Sequence, residues 1–158
     1  MDLSHWIWLA TAAYAIHVLE EFSLDWRNWA RAVIGLPVEW SDFYIVNALV
    51  IVLGVVVANL ADVWVDAALA FPGLMLVNAI FFHILPMIRT RGRFSPGTIT
   101  AVILFLPIGV ACYRVAVGSG RLDLWSLIGS VLLAAALMAT PIVLLNIKGW
   151  PYFRQDRL

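Results

Sequence analysis

Three ionisable residues, His17, Glu20 and Glu21, stand close together in an otherwise apolar stretch. Glu20 is at i+3 and Glu21 at i+4 from His17, so on a helix both carboxylates fall on the imidazole's side. A second imidazole, His83, occurs in another apolar stretch. Two imidazoles and one or two carboxylates are an ordinary ligand set for zinc or non-haem iron. In such a site His17, His83 and one glutamate would ligate, and the other glutamate would act as general base on a metal-bound water. Without a metal, a carboxyl in apolar surroundings favours its neutral form and can serve as a general acid.

The elements that must position these residues follow from composition. The chain has 158 residues, 63% hydrophobic and 13% charged, with a mean hydropathy of +0.94. A water-soluble core of this size cannot hide so much apolar surface, so the bilayer is the fitting solvent. The sequence predicts an all-α polytopic transmembrane helical bundle forming one domain over residues 1–158. Five spans of bilayer length are expected, at about 4–22, 43–60, 64–88, 96–117 and 124–147. Residues 24–34 place Trp26, Trp29, Ala30 and Val33 at helical spacing, with Arg27, Asn28 and Arg31 elsewhere on the wheel. That pattern predicts a short interfacial helix. Trp40, Trp64, Trp125, Trp150 and Tyr152 fall near span ends, as aromatic belts do. Met1 to Ser4 carry an acid and no base, unlike a signal peptide, so the first apolar segment is expected to stay.

Basic residues orient the bundle. Arg27, Arg31, Arg89, Arg91, Arg93, Lys148, Arg154 and Arg157 fall on one side, and only Arg114 and Arg121 on the other. Eight against two places the N-terminus outside and the C-terminus in the cytoplasm. The expected location is a bacterial inner membrane. His17 to Glu21 then lie near the cytoplasmic end of the first span, and His83 near the same end of the third. Asn47 opens the second span on that side, and Asn78 lies about one and a half turns deeper than His83. Polar groups from three helices thus share one slab of the inner leaflet. Such groups are costly in lipid and are functional candidates by default.

Other signals are weaker. In Phe94-Ser95-Pro96-Gly97, Ser95 reads as an N-cap and Pro96 as the first helical residue of the fourth span. The free N–H groups there could bind an anion or a substrate carbonyl. Tyr14, one turn above His17, could orient it. Pro72, Pro107 and Pro141 fall inside spans and are expected to kink them. Thr140 and Asn146 are weaker candidates to line the same pocket. Cys112 is a lone cysteine in an apolar run, which excludes an internal disulfide and reads as a small core residue. Zero formal charge gives no pointer to nucleic acid.

His17-Val18-Leu19-Glu20-Glu21, the further histidine His83 and the Phe94-Ser95-Pro96-Gly97 element together resemble the HXXEE family of small integral membrane proteins. The resemblance covers most of the chain in order and spacing. The family's Tyr-x-Pro-Gly element has phenylalanine in place of tyrosine here, so any role of that phenol is lost. The resemblance implies an enzyme and supplies no substrate.

The expected function is metal-assisted hydrolysis of a lipophilic substrate or lipid that enters between the helices, with zinc or iron as cofactor. His17, Glu20 and Glu21 are the expected catalytic residues, and His17, Glu20, Glu21 and His83 the expected ligands. Tyr14, Asn47, Asn78, Ser95 and Thr98 are expected to bind substrate or support the site. One alternative is metal-free acid catalysis, an isomerase or cyclase acting on a polyprenyl or sterol-like substrate. Others are a proton or metal-ion transporter and a structural membrane subunit. The almost purely apolar outer half argues against a transmembrane relay.

Overall fold

The computed structural model describes residues 1–148 and 150–153. Arg154 and Arg157, counted above toward the orientation, lie outside the described residues. The helices are α1 (Leu3–Ser23), α2 (Trp26–Trp29, continued by a π-helical turn Ala30–Ile34), α3 (Trp40–Leu60), α4 (Val65–Arg89), α5 (Thr98–Gly118) and α6 (Leu124–Ile147). A short 3-10 turn, Pro151–Phe153, follows. No strand occurs among the described residues, so the fold is the expected all-helical bundle.

Four helices, α3 to α6, are long and apolar enough to cross a membrane. The chain is therefore an integral membrane protein of helical type. α1 is as long as α3, with 21 residues, but is more polar and falls outside those four.

The helix ends carry local signals. Asp2 caps α1, its carboxylate accepting from His5 N at 3.0 Å. Glu39 and Asp42 form a capping box at the start of α3. Asp123 caps α6, accepting from Ser126 N at 2.7 Å. Glu39 also pairs with Arg27 and Arg31, tying the α2 segment to the start of α3. Trp29, Ala30, Val38 and Phe43 form a small buried cluster there, so the predicted interfacial helix folds back onto the bundle.

α4 is the central helix, packed against α1, α3, α5 and α6. Small residues permit the close approach: Ala10, Ala68, Ala79, Ala101, Ala116 and Ala134 are all buried. With no water between lipid-embedded helices, such packing supplies the association energy in place of the hydrophobic effect. At Gly54 an added Cβ would stand 2.6 Å from Thr11 Oγ1 and 2.8 Å from Phe71, so α3 can meet α1 and α4 there only as glycine. Cys112 is buried in the core as expected. Pro72 and Pro141 lie inside α4 and α6. α6 runs along α4 and stands off from α3, and the space between α3 and α6 is a cavity of ≈ 340 Å³.

Candidate functional site

The buried side of α1 includes Leu3, Ile7, Ala10, Tyr14, His17 and Glu21. These positions alternate steps of four and three, the spacing of one helix stripe. His17 and Glu21 continue the apolar stripe into the bundle and are 1% and 4% exposed. Glu20 sits one residue off this stripe and is only half-buried. The two adjacent glutamates therefore meet different neighbours.

Glu20 reaches the start of α5. Its Oε1 accepts from Gly97 N and Ile99 N, both at 3.1 Å. Its Oε2 accepts from Thr100 N at 2.8 Å and from the Thr100 hydroxyl at 2.5 Å. The N–H groups of this helix start, expected to be free for an anion, are taken by Glu20 itself. Gly97, at φ +97°, occupies the cap position assigned above to Ser95. The cap falls at Gly97 because its backbone turns the chain through a conformation open to glycine, which releases the Ser95 side chain toward His83.

Glu21 faces the two imidazoles. Its Oε1 lies 3.5 Å from His17 Nε2 and 3.5 Å from His83 Nε2. The rings stand edge to face with centroids 4.8 Å apart. One ligand atom from each of the three residues falls within 4.8 Å of the other two, so His17, Glu21 and His83 could hold a metal ion.

Hydroxyls on the far sides of the rings fix the imidazole tautomers. Thr100 Oγ1 lies 2.8 Å from His17 Nδ1. That hydroxyl has one proton, and its other neighbours, Glu20 Oε2 and the Gly97 carbonyl, are both acceptors. It donates to one of them and accepts from His17 Nδ1–H. Ser95 Oγ lies 3.1 Å from His83 Nδ1 and donates to the Phe82 carbonyl at 3.4 Å. Pro86 has no N–H to offer that carbonyl, four residues before it. His83 Nδ1–H then donates to Ser95. Both Nε2 atoms are left as bare lone pairs, buried and without a hydrogen-bond partner among the described residues. Two imidazole lone pairs and a carboxylate oxygen converge with no donor between them.

Two π-helical turns build this arrangement, Ala79–Ile84 in α4 and Ala101–Phe105 in α5. A π turn closes on the fifth residue rather than the fourth, so it brings residues i and i+5 onto one face. In α5 it brings Thr100 and Phe105 together on His17, with Phe105 packing on the ring at a centroid distance of 4.2 Å. In α4 the turn carries His83 and is preceded by Asn78, which lines the cavity with Glu21. Gly97 closes the site: a Cβ there would stand 2.5 Å from His83 Cε1 and 2.8 Å from His17 Cε1.

The remaining predicted residues take supporting places. Tyr14 donates from its hydroxyl to Asn47 Oδ1 at 2.7 Å, and Asn47 Nδ2 donates to the Phe43 carbonyl at 2.9 Å. Tyr14 thus bonds α3 rather than His17 and stacks on Phe105. Thr98 donates to the Ser95 carbonyl at 2.6 Å and braces the turn. Tyr14, Glu21, Asn47, Asn78 and Thr140 border the cavity between α3 and α6, which is otherwise largely aliphatic. Asn146 is outside its lining and donates to the Ile142 carbonyl. Thr100 and Phe105 were not singled out in the sequence. A hydroxyl one helical turn after Gly97 was a usable signal for Thr100, whereas Phe105 looks like any other phenylalanine in an apolar run.

The fold and site together define an all-helical integral membrane protein with a buried His/His/Glu cluster beside an apolar cavity. A family model described as "Protein of unknown function with HXXEE motif" matches residues 8–112, and the chain belongs to that family. The match includes every residue of the cluster and ends before α6, the outer wall of the cavity. No curated protein matches the chain, and neither does any solved structure.

Proposed function

We propose that this protein is an intramembrane metalloenzyme that hydrolyses a lipophilic substrate bound between α3 and α6. His17, His83 and Glu21 would hold one divalent cation, zinc or iron. The observation that carries this reading is the convergence of three acceptor atoms with no donor among them. A tetrahedral ion with ligands at about 2.1 Å separates those ligands by about 3.4 Å, close to the 3.5 Å between Glu21 Oε1 and each imidazole, with the ligand atoms all within 4.8 Å of one another. A shared proton in place of the ion would draw such atoms to about 2.7–2.9 Å. The spacing therefore favours a metal over the metal-free acid.

Three protein ligands leave a position for water or substrate, and a metal in such a site acidifies water and polarises a carbonyl. The chain's own groups do the rest. Thr100 and Ser95 hold the tautomers, and Phe105 and Gly97 fix the ring planes. Glu21 is the ligand that borders the cavity, so substrate approaches from that side. In the hydrolysis a water oxygen bonds to the substrate carbonyl carbon, the carbonyl–heteroatom bond breaks, and a water proton ends on the leaving group. Glu20, with both oxygens filled by donors, is a positioning residue in this scheme and not the base.

The charge bias of the loops supports a site in the cytoplasmic half of the membrane. Transport is less well supported, because hydroxyls toward the other end of the bundle are satisfied locally. Ser4 bonds the Ala58 carbonyl, Thr11 the Ile7 carbonyl, and Tyr113 the Leu69 carbonyl.

The test is turnover of long-chain esters and amides by the purified protein in lipid nanodiscs. Activity is expected to vanish on chelation, to return with added zinc or ferrous iron, and to be absent in His83→Ala and Glu21→Gln. Turnover that survives chelation or His83→Ala would overturn the proposal, and so would His83-dependent ion flux in proteoliposomes.

A further inference from the structure

Two buried polar atoms of cavity-lining residues have no hydrogen-bond partner among the described residues. One is an acceptor, Asn78 Oδ1, and the other is a donor, the Trp26 Nε1–H. No hydrogen bond holds either side of the Asn78 carboxamide. Inside a membrane protein an unpaired amide or N–H is costly, because no bulk water is at hand to satisfy it. The two atoms are complementary, and both residues line the same cavity as Glu21. Asn78 immediately precedes the π turn that carries His83.

The rest of the cavity limits what can occupy it. Leu49, Leu53, Leu74 and Leu137 are among its aliphatic lining. Its volume of ≈ 340 Å³ is near the lower end of the range for ligand pockets, about 300–1,000 Å³. That suits a single chain. Its charged lining residues are Glu21 and Asp42, and Asp42 pairs with Lys148 at 2.5 Å. No cationic side chain lines the cavity among the described residues, so the protein offers a carboxylate or phosphate head no lining cation of its own.

We infer that the cavity binds a neutral, single-chain fatty amide, with its N–H donating to Asn78 Oδ1 and its carbonyl accepting from Trp26 Nε1. This identifies the substrate class of the hydrolytic site proposed above and rests on that reading only for the amide's fate. Binding itself needs no metal. An ester of the same chain offers the carbonyl but no donor and leaves Asn78 Oδ1 without one. A free fatty acid at neutral pH has no N–H to give Asn78 and, in the metal-free protein, no lining cation to meet its charge.

The experiment is calorimetric titration of the full chain in nanodiscs with dodecanamide, methyl dodecanoate and dodecanoate, with and without prior chelation. Dodecanamide is expected to bind about tenfold more tightly than the ester, the worth of roughly one hydrogen bond, whether or not metal is present. Asn78→Leu should abolish that preference, and the conservative Trp26→Phe should weaken amide and ester alike. Equal binding of amide and ester by the unmodified chain overturns the inference. Preference for dodecanoate in the chelated protein, or an amide preference that survives Asn78→Leu, does the same. Failure of the metal reading shows separately, as an amide preference in a protein with no metal-dependent turnover.

Discussion

Glu20 and Glu21 are adjacent and chemically identical, and substitution should affect them in opposite ways. Glu20 accepts four hydrogen bonds. Glu20→Gln turns an amide donor toward donors, so stability should fall by about 1–3 kcal/mol, while stoichiometric metal is still bound. Glu21→Gln places an amide donor against two imidazole lone pairs. Metal binding should be lost, and the metal-free protein should unfold no more easily than the unmodified chain. Thermal unfolding beside elemental analysis separates the two. Thr100→Val removes the acceptor for His17 Nδ1–H and should weaken metal binding about 10–100-fold, measured by chelator competition. The histidines and glutamates were legible in the sequence because ionisable groups in an apolar stretch stand out. Their division of labour was not. Glu20 and Glu21 both fit His17 by spacing, and only the placement of α5 against one and α4 against the other separates them.

At the scale of the element, the α5 start and the two π turns decide the geometry. The five predicted apolar segments agree with helices α1 and α3 to α6 to within a few residues, although only α3 to α6 are long and apolar enough to cross a membrane. The π turns were not legible. On a regular α-helix, residues five apart point about 140° away from each other, so Thr100 and Phe105 could not be assigned to one face. Pro86 and Pro107 each follow a π turn closely, and each deprives an earlier carbonyl of its usual donor. Ser95 looked like a helix cap by the same local rules, yet the positive φ of Gly97 took that place. Gly97→Ala therefore carries both backbone strain and a clash with the His83 ring. It should cost about 2–4 kcal/mol and reduce metal content together with stability. Thermal unfolding and metal analysis of the same sample check this.

For the whole molecule, the bundle is one core with two differing rims. The α2 segment is bound to α3 through Glu39, whose carboxyl is held below the usual carboxylate range by its hydrogen bond to Arg27, with Arg31 adding to the effect. A carboxyl shifted downward contributes stability that is fully present above its ordinary value of 4.5 and is lost as pH falls through the lowered one. Amide exchange in residues 26–39 should accordingly quicken in acid, relative to the intrinsic rate, before the α4–α5 core responds. Glu39→Gln should remove that pH dependence and leave metal binding intact. The central claim concerns the core: a cation belongs among His17, His83 and Glu21. It is tested most directly by metal analysis and X-ray absorption of the purified protein, with His17→Ala and His83→Ala alongside. The account predicts one zinc or iron per chain, held by two imidazole nitrogens and a carboxylate oxygen at about 2.0–2.2 Å, and lost in both variants. A purified chain that takes up no stoichiometric metal, or metal content unchanged by either substitution, would contradict it.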